Sequence, residues 1–191
     1  MPPVEGINFI APNPDGSGSK LIDWAARLDS NAYSVDQRVK IPRCMAEFSR
    51  IGGQMVIADA GIAEIETYAR QDDLVIIASG KGNVGRLFAR DAEKSTFDKP
   101  MRALALTHVT GMTPRQPYLA VEFNLSLGVG ENFVFPALTT TGPCEIMVMK
   151  GIPSGPMGCW ADIRSPAQHM GTALNILKTF LPWEYERSKN C

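Results

Sequence analysis

The chain has 191 residues, 45% hydrophobic and 20% charged, with a formal net charge of −1. That length allows about one to one and a half domains with a real core, and the balanced charge leaves no electrostatic footprint for nucleic acid. No apolar run reaches membrane-spanning length and no charged-then-apolar leader opens the chain, so neither a membrane span nor a signal peptide is expected.

The cysteines Cys44, Cys144, Cys159 and Cys191 are scattered without C-x-x-C spacing. This argues against a zinc site and a disulfide framework and points to a reducing cytoplasm. The first three are expected to be buried thiols acting as small hydrophobes.

In chain order, residues 6–10 alternate as a short strand and residues 20–26 form a second candidate. Between them, Pro12, Pro14 and Gly16-Ser17-Gly18-Ser19 supply the residues of a flexible hairpin loop. Ser34-Val35-Asp36-Gln37 reads as a capping box opening a helix that runs to Ile51 and stops at Gly52-Gly53. Val35, Arg38, Ile41, Met45 and Phe48 share one face of it, and Pro42 should kink it or leave a carbonyl unpaired. Residues 54–57 predict a strand and residues 60–70 a short loop or helix.

Asp72-Asp73-Leu74-Val75-Ile76-Ile77-Ala78 predicts a strand buried on both faces, followed at once by Gly80-x-Gly82-x-x-Gly85. This is not a dinucleotide fingerprint. A Rossmann unit places an acid about 20 residues on, at the end of the next parallel strand, whereas Asp98 here precedes the next strand and sits beside Pro100. The glycines read first as a tight strand exit.

The second half holds four strand candidates at residues 101–109, 117–127, 132–139 and 144–150, separated by glycine- and proline-bearing turns. Short, regular connections argue an antiparallel meander. Phe133 and Phe135 alternate onto one face, and Ile146 and Val148 likewise, with Met147 and Met149 opposite. Glu122 and Glu145 are expected to face water. Ser165-Pro166-Ala167-Gln168 caps a helix over 165–181 whose stripe of Met170, Ala173, Leu174, Leu177 and Leu181 should lie on the sheet. The tail from Trp183 has no evident partner. The expected fold class is α+β: a mixed, largely antiparallel sheet with helices packed on one face.

The ordered set Val35-Asp36-Gln37-Arg38, Pro42, Gly52-Gly53, Asp73-Leu74-Val75-Ile76, Ser79-Gly80-Lys81, Gly85, Phe88, Phe97-x-Lys99-Pro100 and Arg102-Ala103-Leu104 resembles the FAD-dependent aromatic hydroxylases. It is most similar to the oxygenase component of the styrene and indole monooxygenases. The resemblance is good over residues 34–105 and rests on strand order elsewhere. Ser79 stands where many flavin hydroxylases carry an acid, and neither the N-terminal G-x-G-x-x-G strand nor the late Gly-Asp segment of the FAD domain is found.

The resemblance therefore implies one fragment, residues 1–191. A helix-strand-strand segment at 34–100 would adjoin the missing FAD-binding domain, and a sheet plus helix would occupy 101–181. It implies the substrate-binding part of a two-component FAD monooxygenase that epoxidises or hydroxylates a small aromatic alkene or indole. The parent enzyme would use FAD and a separate flavin reductase; the fragment alone is expected to bind no cofactor and to be inactive. A homodimer stays open.

Arg38, Ser79 and Gly80 are the expected cofactor contacts, with Arg38 beside the flavin phosphates. Phe133, Phe135, Ile146 and Val148 are the expected wall for a small apolar aromatic. No catalytic side chain and no metal ligand is expected, and His108 and His169 read as structural. The alternative is a stand-alone α+β small-molecule-binding or interaction domain without redox activity.

Overall fold

The computed structural model describes residues 1–80 and 82–191; Lys81, one of the residues carrying the resemblance, lies outside the described residues. The fold is α+β, as expected, around one six-stranded sheet in the order β2-β1-β4-β5-β6-β3. The strands are β1 (Val4–Pro12), β2 (Lys20–Ala32), β3 (Ala103–Val109), β4 (Ala120–Ser126), β5 (Gly130–Thr139) and β6 (Gly142–Gly151). All neighbours are antiparallel except β1 and β4, which run parallel and place Gly6 to Ile10 opposite Ala120 to Asn124. The helices are α1 (Gln37–Arg50), α2 (Ile62–Gln71), α3 (Pro166–Phe180) and α4 (Pro182–Ser188).

The chain divides into two units, residues 1–43 with 100–191, and residues 44–99. The first holds the sheet, α3 and α4. Strand alternation turns Ala105, Val109, Val134, Met147 and Met149 to one face, where Ala173, Ile176, Leu177 and Leu181 close over them. Helix α3 starts where its sequence signals put it: Ser165 Oγ accepts from the Gln168 N–H at 3.2 Å, with Pro166 next. At the rim, Gly151 lies so close to the Met157 backbone that a Cβ there would sit 2.3 Å from the Met157 carbonyl carbon. That approach brings Met157, fully buried, into the core.

Several local expectations change. The cap of α1 is Asp36, whose Oδ1 accepts from the Arg38 N–H at 2.8 Å. Ser34 lies before the helix, in an extended stretch where its carbonyl accepts from Leu138 N–H and the Asp36 N–H donates to the Leu138 carbonyl, so α1 starts only at Gln37. Pro42 lies inside α1, and no residue of that helix is buried, so its apolar stripe stays unpacked.

In the second unit, residues 54–57 and 73–78 form no strand among the described residues, and Val56, Ile57, Leu74 and Ile76 are exposed. Their β-branched sequences suit a ladder, but no neighbouring strand is there to complete one. Cys44 and Cys159 are exposed and Cys144 half-buried, so the cysteines are free but not the buried hydrophobes expected.

The largest corrections concern Glu122 and the tail. Glu122 is 1% exposed, because residues 182–188 fold into α4 and close over the strand bearing it. Glu145 is half-buried rather than exposed, and burial raises its pKa. Leu177 is fully buried at the helix–sheet contact. Leu177→Ala should therefore cost about 3 kcal/mol of stability, measured as a lowered urea midpoint with an unchanged slope.

Candidate functional site

The sheet face turned away from α3 and α4 carries the expected wall residues, and the register brings all four together. Phe133 pairs directly with Val148, and Phe135 with Ile146. Directly opposed residues share a face and touch through their side chains.

The same register extends the wall beyond what sequence showed. Phe133 also opposes Phe123, their rings meeting edge to face at 4.9 Å. Phe123 opposes Phe9 across the parallel pair, and Phe9 opposes Trp24, stacked at 6.1 Å. On the other side Val148 opposes Leu106. Trp24, Phe9, Phe123, Phe133, Val148 and Leu106 thus form one apolar row across all six strands.

The row is framed by polar groups and a cavity. Beside it, Glu131 is held by Lys150 at 3.1 Å and Arg102 at 3.5 Å, and the Lys150 ammonium lies 5.6 Å from the centre of the Phe133 ring. Next to Phe135, a cavity of about 280 Å³ opens among Ile7, Leu28, Tyr33 and Val121. His108 stands opposite Ile146.

His108 also lines a polar cleft of about 380 Å³ with Asp36, Arg38, Thr110 and Thr139. Arg38 turns its Nε and Nη2 edge to Asp36, at 2.6 Å for the closest pair. The Arg38 hydrogen bond lowers the Asp36 pKa to about 2. Nη1 has no partner among the described residues, so Arg38 can offer a donor to an anion, but beside a fixed carboxylate.

Ser79 and Gly80 belong to the other unit. There Gly80 has a φ of +57°, and the Gly82 N–H donates to the Ser79 carbonyl at 3.1 Å. A Cβ on Gly85 would lie 2.6 Å from the Gly80 carbonyl oxygen. The close turn itself therefore accounts for Gly85, but it is not the strand exit expected, because residues 73–78 form no strand. Gly80 has open space around its Cα, which leaves its backbone approachable. Of the residues expected to contact FAD, Arg38 keeps one donor free and Gly80 an open backbone, and the two belong to different units.

Among the described residues no group of three or more His, Cys, Asp or Glu could hold a metal ion, and no helix is long and apolar enough to cross a membrane.

The sequence profile described as "Styrene monooxygenase A putative substrate binding domain" matches residues 80–187. The chain belongs to that family. The matched span carries β3 to β6 and α3 and runs almost to the end of α4, with Phe123, Phe133, Phe135, Ile146 and Val148 inside it. Against the styrene monooxygenase StyA of Pseudomonas fluorescens the chain is 29% identical over 133 residues, covering 70% of this chain and 32% of the relative. The StyA of a Pseudomonas sp gives the same identity and coverage. The chain spans about a third of the length of the curated relatives it matches.

The Asp36–Arg38 pair gives a direct check on the polar cleft. Arg38→Ala should return the Asp36 pKa from about 2 toward 3.8, read from the carboxyl carbon in an NMR titration.

Proposed function

We propose that this chain is the substrate-binding part of a two-component FAD-dependent monooxygenase that epoxidises or hydroxylates a small aromatic alkene or indole. The observation that carries the reading is the aromatic row on a sheet face that α3 and α4 leave uncovered, in a chain of the styrene monooxygenase A substrate-binding domain family.

Phe123 and Phe133, already edge to face, offer a third ring the stacked or edge-on geometry that aromatic pairs prefer. Phe135, Ile146 and Val148 supply hydrocarbon that excludes water from the substrate. FAD, when bound in the parent enzyme, supplies the reduction of O₂ and the delivery of one oxygen atom. Arg38 would donate from Nη1 toward an anionic part of that cofactor, and Gly80 with Ser79 would approach it by backbone. No acid or base on this chain is needed for the reaction, so its residues contribute position, dryness and shape. The reading includes a separate flavin reductase as partner. The free cysteines suit a cytoplasmic location.

Indole is the probe for the wall. Titrated into the chain, it should move the aromatic and methyl NMR signals of Phe123, Phe133, Phe135 and Val148 and leave those of Leu177 and Ile176 in place. Phe133→Ala should weaken binding about ten-fold, roughly 1.4 kcal/mol, while Arg38→Ala leaves it unchanged. Shifts confined to the helix side, or equal losses in both variants, would defeat the assignment of this face.

A further inference from the structure

The helix side of the same strands holds a buried charge cluster that substrate binding does not use. Glu122 at the middle of β4 and Glu184 in the first turn of α4 are 1% and 0% exposed. One Arg187 Nη1 reaches both, 2.5 Å from Glu122 Oε2 and 3.0 Å from Glu184 Oε2. Arg115 Nη1 holds Glu122 Oε1 at 2.8 Å. Asn124 Nδ2 donates to Glu184 Oε1 at 3.3 Å, and Asn124 Oδ1 accepts from Trp183 Nε1 at 2.8 Å.

The other groups facing α4 complete the charge count. From β6, Glu145 lies within electrostatic range of Arg187 and Glu122. From β1, the neutral Asn8 stands in register with Glu122. Lys20 of β2 and Lys178 of α3 lie over the rings of Trp183 and Tyr185, at 5.4 Å and 5.8 Å. At the C-terminus, the Cys191 thiol, raised by burial, also feels Glu145 and Arg187.

Around the two buried carboxyls, then, two guanidiniums meet three carboxyl groups. Fully ionised, these five groups carry one uncompensated negative charge, with Glu122 and Glu184 almost fully buried, Glu145 half-buried and the two guanidiniums less than a fifth exposed, and a single proton makes the cluster neutral. Neutralising a buried group is far less costly than burying an unpaired charge.

We propose that Glu122 and Glu184 share one proton and that this pair is a pH-sensitive latch holding α4 to the sheet. The proton sits on Glu184 and is donated to Glu122, which remains ionised between the two arginines. Burial, then the hydrogen bond and charge of Glu122, push Glu184 well above the usual carboxyl range. Burial also opposes ionisation of Glu122, but its hydrogen bond with Glu184 and the charges of Arg187 and Arg115 outweigh this and hold it below that range. The two titrate as one coupled unit.

The latch fastens more than one helix. Arg187 Nε donates to the Thr113 carbonyl at 3.0 Å, and the Thr113 N–H donates back to the Arg187 carbonyl at 2.9 Å. Release of α4 therefore frees the segment around Thr113 and breaks the Trp183–Asn124 bond.

The sign follows from proton counting. Glu184 binds its proton more tightly latched than unlatched. Its contribution is complete below the ordinary carboxyl pKa and is lost as pH rises through the raised one. Glu122, shifted the other way, contributes above the ordinary value, and that contribution is lost as pH falls through its lowered pKa. The latch is thus tightest in mild acid and loosens toward alkaline pH.

The test uses the whole chain with ¹³C-labelled glutamate carboxyls and amide exchange in α4. One carboxyl of the pair should titrate well above the ordinary glutamate range and the other below it. The protection factors of α4 amides should fall about ten-fold per pH unit between the ordinary and the raised pKa, the slope of one linked proton. Glu184→Gln, which keeps a neutral donor in place, should remove that fall. Ordinary titration of both carboxyls, or the same fall in Glu184→Gln, would overturn the proposal. Should Glu184→Gln not fold, the carboxyl titration of the unaltered chain decides alone.

Discussion

Everything on both faces of the sheet depends on one register. In a strand, successive side chains point to opposite faces, so a slip of one residue exchanges the two faces completely. In β4 the exchange would set Glu122 in the aromatic row and drive Phe123 against Glu184. The native register gives Glu122 its two arginines, Asn124 its bonds to Asn132, Glu184 and Trp183, and Phe123 its edge-to-face partner. A slipped strand would lose all of these and leave a carboxylate buried without compensation. The polar seam adds little net stability, yet it penalises every alternative alignment of β4 and so fixes where the aromatic side chains stand.

The two faces differ in how they are completed. On the helix side, α3 and α4 close a core in which Met147, Met149, Leu177 and Leu181 are almost fully buried. On the other side, Trp24 and Leu106 stay about half exposed and Phe123 and Phe133 are half-buried, while Ile146 is buried. A sheet with one sealed face and one apolar open face suits a chain whose family is defined by substrate binding. The second unit shows the opposite limit. The run from Leu74 to Ala78 has the composition of a buried strand, but a strand is stabilised by cross-strand neighbours more than by its own propensity.

Legibility in the sequence followed the range of the interactions. The four strands from residue 101 onward were readable because local alternation and glycine-bearing turns mark them, and so were the shared faces of Phe133 with Phe135 and Ile146 with Val148. Helix α3 was readable from Ser165, Pro166 and its apolar stripe. Phe9, Trp24 and Phe123 were missed because their common row requires β1 to lie parallel to β4, a pairing about 114 residues apart that no local pattern announces. Glu122 was misread for a related reason. An alternating Val-Glu-Phe-Asn-Leu-Ser run resembles a strand with one wet face, and only α4 makes that face dry. A signal for α4 was present in Pro182 followed by Trp-Glu-Tyr, since proline opens helices as readily as it ends them.

The composition of the open face bears on how such a domain discriminates among ligands. Its central row is hydrocarbon and aromatic ring, with the nearest charges, Lys150 and Arg102, already engaged by Glu131. On the proposal that this face binds the substrate, recognition would come from shape and ring stacking rather than from directed hydrogen bonds. An apolar pocket distinguishes ligands differing by a methylene by only about 1–3 kcal/mol, whereas a site built on buried hydrogen bonds rejects a mismatched ligand far more strongly. The buried hydrogen bonds of this sheet are spent instead on its other face, where they hold β4 in register. Strictness is thus placed in the position of the aromatic side chains, which the buried hydrogen bonds of the opposite face hold in register, while the surface they form is hydrocarbon and ring.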